Sequence, residues 1–328
     1  LFSVYVLPGR ADFTVEAEYV NCLFLQHSRF GIAIRGNGKA QFRGCEFRDE
    51  MQAGADYFSK ESAAGGTVFY RPSQFGADGH AQSLFEDCRF LRSKQRCYNL
   101  SGKAQAEFRR CLFASTVKGA GDCYNESRLV MRGCLAIGIA REVLDACENS
   151  SFLIEGSEFI DCGLGRLSGG TAGNIPYPTI AVEQRAQGIV RRTRFIDNHG
   201  TGINLGVFEK TVAERRRVRD PMYMSRQSNK LRLEDCAIIN NRRGGAMVNN
   251  GLLQILRCRI IGNTLRGVHA FNKGRISLED VVIAATAGPG IRRSESAMIE
   301  SKRTRLIDNK PDQLLVKGDM GLPPEQDP

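Results

Sequence analysis

The chain contains no tryptophan, only four histidines, and no pair of cysteines at metal-ligating CxxC spacing. Each absence excludes something. Without convergent cysteine pairs, a structural zinc site has no sequence basis. Without tryptophan, and with eight tyrosines, the chain has little of the aromatic surface on which sugar faces stack. No stretch reaches the roughly eighteen consecutive apolar residues that a membrane helix requires. No charged, apolar and small-residue progression of a secretory signal opens the sequence, which begins at Leu1. That start reads as a processed or excerpted product whose missing part could have carried an address.

What is present is a globular composition: 328 residues, 42% hydrophobic, 25% charged and 35 glycines. The formal net charge of +10 favours acidic partners, namely nucleic acid, an acidic protein surface or a polyanionic glycan. Eleven cysteines, an odd number spread along the chain, read as free thiols in an intracellular, reducing compartment such as cytoplasm, cytoskeleton or an organelle interior.

The stretch LEDCAIINNRRGGAMVNNG, residues 233 to 251, discloses a repeat. Aligning on its thiol gives Cys22, Cys45, Cys88, Cys111, Cys134, Ser157, Thr193, Cys236, Cys258, Val281 and Thr304, at intervals of 22 or 23 residues except where an insertion intervenes. Two positions on stands a larger apolar residue: Phe24, Phe47, Phe90, Phe113, Ala136, Phe159, Phe195, Ile238, Ile260, Ile283 and Leu306. A spacing of two puts both side chains on one face of a strand. In later units Asn198, Asn241, Asn263 and Asn309 follow the anchor by five, and Gly202, Gly245, Gly267 and Gly290 by nine. These residue types predict left-handed corners and asparagines bonded up and down a stack.

The pattern resembles the right-handed parallel β-helix, the pectin-lyase-like solenoid, from about residue 4 to about residue 316. The resemblance implies an all-β fold of about 11 coils of 22–23 residues, about 4.8 Å apart. It places one β-helix domain at 1–318, with loop insertions near 49–80, 167–179 and 207–230 and an unstructured tail at 319–328. VYVLPGR, residues 4 to 10, looks like a lead-in strand and turn. A leucine-rich repeat, whose period overlaps, would need leucines at several offsets and a helical return, and neither is present.

The anchor cysteines read as internal packing, since Ser, Thr and Val replace them. Cys97, Cys123, Cys147 and Cys162 fall off that register. Function is then left to the insertions and the exposed faces. The first insertion carries Asp49, Glu50, Asp56 and Asp78 with Tyr57, Tyr70 and Arg71; the third holds Lys210, Arg215, Arg216, Arg217, Arg219 and Arg226. Guanidinium forks bind carboxylates and phosphates in pairs. The main expectation is therefore a noncatalytic scaffold with no cofactor or metal, docked in a larger assembly through these basic residues and the solenoid ends. Its partner would be an acidic protein surface; nucleic acid contact would be electrostatic, since only Phe208 and Tyr223 flank the arginines.

The resemblance also implies an alternative, because families of this fold include polysaccharide lyases, hydrolases and uronate epimerases. RRRVRDP, residues 215 to 221, loosely resembles the arginine-rich motif of pectate lyases, in which calcium held by carboxylates acidifies a proton beside a uronate. On that reading the chain is a lyase or C5-epimerase of an acidic glycan, with Arg219 or Lys210 required and Ca2+ as the one cofactor. His80 and His199 read as turn or surface residues, and no Asp–Asp pair on neighbouring coils stands out.

Overall fold

The computed structural model describes residues 4–6, 16–25, 30–34, 36–49, 62–63, 66–67, 73–77, 79–165, 176–206, 228–294, 296–310 and 315–317. Every regular element among them is a strand. The strands fall on three faces of a parallel β-helix. The first face is built of five-residue strands such as Gln82–Glu86, Gln105–Arg109 and Arg128–Arg132. The second is an 11-stranded sheet of three-residue strands such as Arg89–Leu91 and Leu112–Ala114. The third includes Arg96–Leu100, Gly121–Cys123, Leu144–Ala146, Ile180–Val182 and Thr201–Leu205. First and third faces join into one sheet because Gly244–Leu256 and Val268–Glu279 run through the corner between them. Val4–Val6 pairs in parallel with Phe30–Ile34 and so belongs to the third face.

The register follows the repeat residue for residue. On the second face Phe24, Phe47, Phe90, Phe113, Ala136, Phe159, Phe195, Ile238, Ile260, Ile283 and Leu306 pair in succession. On the first face Tyr19, Phe42, Phe85 and Phe108 stack at 4.5 to 5.0 Å, and each meets the second-face rings edge-on. Offset stacks along the axis and edge contacts across it are the arrangements that aromatic quadrupoles favour.

Left-handed corners precede and follow the second-face strands from Glu46–Arg48 onward. Asp87, Arg110, Arg192, Asp235, Arg257, Asp280 and Arg303 precede the anchors with φ of 50° to 55°, and Asp49, Arg92, Ser115, Asp161, Asp197, Asn240 and Asp308 follow four residues after them with φ of 50° to 56°. Side chains resist this conformation. Here the N–H groups of the named corners from Asp49 to Asp280 bond carbonyls of a neighbouring coil, as Asp87 N does to Arg109 O at 3.0 Å and Arg92 N to Ala114 O at 3.0 Å. The corner side chains point to water and pair across coils, Arg110 with Asp87 and Arg257 with Asp235.

The corners fall one residue earlier than the sequence reading placed them. Asn198, Asn241, Asn263 and Asn309 are instead buried behind the corner and act through their amides. Asn198 Nδ2 donates to Asn241 Oδ1 at 2.8 Å and Asn241 Nδ2 to Asn263 Oδ1 at 3.1 Å. Gly245 is likewise not a left-handed residue: a Cβ there would lie 2.5 Å from Gly267 O and from Ile260 Cγ2, so close stacking of coils requires the glycine.

The anchor thiols face inward, Cys111 and Cys134 being 1% and 2% exposed, and all eleven cysteines are free. The single thiol hydrogen of Cys88, Cys111 and Cys134 has two acceptors within reach, a carbonyl two residues back and one on the neighbouring coil. Ser157 and Thr193 make the same backward bond and also accept N–H groups from the preceding coil. The anchor therefore selects small size together with hydrogen-bonding capacity, and size alone at Val281. Cys162 lies on the asparagine register, where burial pushes its thiol up to about 12.

Asn241→Leu removes the acceptor for the Asn198 amide and N–H and is expected to destabilise the fold by at least about 2 kcal/mol in urea unfolding. Arg257→Ala, which breaks an exposed pair, is expected to leave the midpoint nearly unchanged. Equal losses would contradict the assignment of the ladder as the stabilising element.

Candidate functional site on the outer side of the third face

Outward residues of the first face, such as Gln105 and Arg128, are exposed. On the third face the five strands between Arg96 and Leu205 are buried at every position, outward ones included. Inward positions there, among them Leu100, Cys123, Ala146, Val182, Leu205, Val248 and Ala270, belong to the core. Alternation then turns one row outward: Asn99, Asp122, Asp145, Ala181, Asn204, Met247, His269 and Arg292, paired in register from coil to coil.

The first part of this row is acidic. Cys97 N and Tyr98 N both donate to Ala120 O, a bulge that brings Arg96 to the outward side beside Asp122. The same doubling at Val143 and Leu144, both bonded to Thr179 O, precedes Leu144–Ala146 directly after Glu142. Arg96 Nε lies 2.5 Å from Asp122 Oδ1, with both side chains buried. The Tyr124 hydroxyl donates to Asp122 Oδ2 at 3.1 Å, and the Cys147 thiol donates to Asp145 Oδ1 at 3.4 Å. Burial opposes the charge on Arg96, but Asp122, Tyr124, Glu142 and Asp145 outweigh it and raise its pKa above the ordinary arginine value. Asp122 and Asp145 stand one coil apart, about 4.8 Å.

The far part is cationic. Arg266 Nη1 is 2.6 Å from His269 Nδ1. Burial, then the charges of Arg266 and Arg292, push the His269 imidazole down to about 2. It is neutral at physiological pH, and because a guanidinium can only donate, Nδ1 accepts and Nε2 carries the hydrogen. Four register steps, about 19 Å, separate Asp145 from His269.

Lys210, Arg215, Arg216, Arg217, Arg219 and Arg226 lie outside the described residues, as do Glu50, Asp56, Tyr57, Tyr70, Arg71, Asp78 and the tail at 319–328. Asp49 is an exposed corner paired with Arg92, which holds its carboxyl below the usual range. His80 is exposed in a turn. His199 is buried, 7% exposed, with Nε2 at 2.7 Å from Asp161 Oδ1, which corrects its reading as a surface residue. The Asp–Asp pair missing from the sequence reading is Asp122 and Asp145. Its signal was the repeat itself, since GDCYNES at 121–127 and LDACENS at 144–150 align at one coil period. Among the described residues no group of three or more His, Cys, Asp or Glu side chains could hold a metal ion, so the calcium of the lyase alternative finds no ligand set there.

A concavity of about 750 Å³ lies on the first face between Lys39, Gln82, Gln105, Glu107, Arg128 and Arg132. It is open, and Lys39 and Arg132 are paired with Glu16 and Glu107.

A family model described as "Right handed beta helix region" matches residues 10–159 and 178–321. No curated protein sequence shows a significant match. Among solved structures, a periplasmic alginate epimerase, AlgG, is similar at 13% identity and a TM-score of 0.44, over 93% of this chain and 76% of that one. The A-module of Azotobacter vinelandii mannuronan C-5 epimerase AlgE4 is similar at 10% identity and a TM-score of 0.26, over 88% and 89%. These likenesses concern the fold. The expectation of an intracellular, reducing compartment is corrected: a protein of similar architecture is periplasmic. The physical reason is that nine of the eleven free thiols are buried and the other two half-buried, so packing accounts for their reduced state without reference to the compartment. Among the described residues no helix is long and apolar enough to cross a membrane.

His269 resists protonation in the fold, whereas in the unfolded chain it titrates near 6.5. The stability carried by its neutral form is complete above that value and is lost as pH falls below it. Measured by urea unfolding, His269→Asn is expected to lose about 2 kcal/mol less than the wild type between about pH 7 and pH 5. Parallel pH profiles for the two proteins would contradict the assignment.

Proposed function

The chain belongs to the right-handed β-helix family, and we propose that it acts on an acidic, uronate-containing polysaccharide by removing the proton at C5, as a C5-epimerase or lyase. The observation that carries this reading is the buried, in-register pair Asp122 and Asp145 with Arg96 against it, on the outer side of the third face. A linear polymer lying along the row would meet one coil about every 4.8 Å, a spacing of the order of one sugar ring.

The reaction needs a base, a cation and a proton donor. The C5 proton is acidified by the neighbouring carboxylate, and its loss places a second negative charge on that group. Arg96, buried and fully charged, is the cation placed to neutralise this charge in a low-dielectric setting. Asp122 forms the direct ion pair with Arg96, and Asp145, which accepts from the Cys147 thiol one coil on, is assigned as the base that takes the proton. The electron pair of the C5–H bond passes into the carboxylate. Return of a proton to the opposite face inverts C5; expulsion of the oxygen at C4 instead leaves an unsaturated sugar. The Tyr124 hydroxyl, held on Asp122, is the proton donor.

The scaffold reading, with its acidic protein or nucleic acid partner, draws no support from the described residues, because the arginines on which it depends lie outside them. Recognition through charge also accommodates the lack of tryptophan.

Alginate and pectate, incubated with the protein in deuterated water, are expected to gain deuterium at C5 where the protein epimerises, or unsaturated ends where it eliminates. Asp145→Asn is expected to slow this by about 100-fold or more, whereas Arg109→Ala on the first face is expected to retain activity. Full activity of Asp145→Asn, or neither exchange nor unsaturated ends on any polyuronate, would refute the reading.

A further inference from the structure

We propose that His269 and Arg292, with Arg266 as a positioning residue, form a second subsite that binds a carboxylate of the same polymer about four coils from Asp145; the identity of the polymer rests on the reading above. The subsite begins with a constraint on one proton. Arg266 Nη1 at 2.6 Å from His269 Nδ1 forces that nitrogen to accept, so Nε2 carries a hydrogen that can only be donated. The Phe271 ring, 5.0 Å from the imidazole and tilted by 32°, packs against it and fixes its plane. His269 is 5% exposed, so the orientation of this donor is set by its surroundings rather than by water.

Arg292 is the register partner of His269 on the next coil, and it is half-exposed. The partner on the preceding coil, Met247, is uncharged. A guanidinium fork and an imidazole N–H one coil apart offer three donors to one carboxylate, the arrangement in which charge-assisted hydrogen bonds are strongest. Both charges that act on His269, Arg266 and Arg292, are positive, so an anion is the ligand that complements them.

The acidic and cationic parts of one straight row, about 19 Å apart, call for different ligand groups. A polymer with an acidic group on each sugar satisfies both at once, since one unit places its C5 at Asp145 while another, several units along, places its carboxylate at Arg292. A small monoanion cannot span the two. Free phosphate would share the donor chemistry of the subsite but not this reach.

The test uses the full chain with 15N-labelled histidine, whose four imidazoles are few enough to assign, in an Asp145→Asn background that prevents turnover. A uronate hexasaccharide is expected to shift the His269 Nε2 resonance; a neutral hexasaccharide is not, and inorganic phosphate is expected to do so only at far higher concentration. Arg292→Gln is expected to weaken uronate binding about 10-fold or more. Arg266→Gln is expected to return the His269 titration toward the ordinary histidine range, and Arg266→Lys, which keeps the positive charge, is expected to hold it low. An unmoved His269 resonance, equal affinity for phosphate, or unchanged binding by Arg292→Gln overturns the proposal. The two readings fail separately: deuterium exchange or elimination by the wild type without a His269 shift sinks the subsite alone, and a shift with neither exchange nor elimination sinks the catalysis alone.

Discussion

The constraint on which the molecule depends is the pair of left-handed corners on either side of the second-face strands. Because Asp87 and Arg92, and their counterparts on other coils, hold φ near 50°, three strand residues separate two sharp bends, and each bend is bonded to the same bend on the neighbouring coil. A coil cannot slip by one residue without turning every side chain over. Register, and with it the composition of every inward and outward row, follows from those corners.

Within that frame the interior changes chemistry without changing shape. The early coils are filled by Phe42, Phe85 and Phe108 stacked on one face and Phe47, Phe90 and Phe113 on the next. From Phe159 and Phe195, which meet edge to face, the filling becomes aliphatic with Ile238, Ile260 and Ile283, while an amide ladder beginning at Asn198 supports the corner from behind. Ring stacking and buried amide bonding are alternative ways of binding one coil to the next. The glycines at 202, 245 and 267 belong to the second way, since they let the third-face strands approach closely enough for it.

The small-then-bulky pairs were legible in the sequence because their spacing of two and the coil period are both local, and the structure pairs all eleven bulky residues as aligned. The corners were misplaced by one residue because Asp, Arg and Ser occupy them more often than Asn and Gly do; tertiary hydrogen bonds, not residue preference, hold the conformation. Asp122 and Asp145 were missed for a different reason. They share the period of the anchors, but attention to insertions assumed that function sits where the repeat is broken, whereas these residues sit where it is kept. His269 gave no sequence signal, since its character comes from Arg266 and Arg292 on its own and the adjoining coil. The thiols were read for compartment when their burial was the relevant fact.

Periodicity therefore supplies both the core and a straight outward row whose groups are aligned at the coil spacing, and a ligand with a matching repeat is what such a row can recognise. A crystal structure of Asp145→Asn with a bound uronate hexasaccharide tests this most directly. The account requires the sugar chain to run along the third face, with one C5 beside residue 145 and a carboxylate between His269 and Arg292. A sugar chain bound instead in the first-face groove between Lys39 and Arg128 would contradict it.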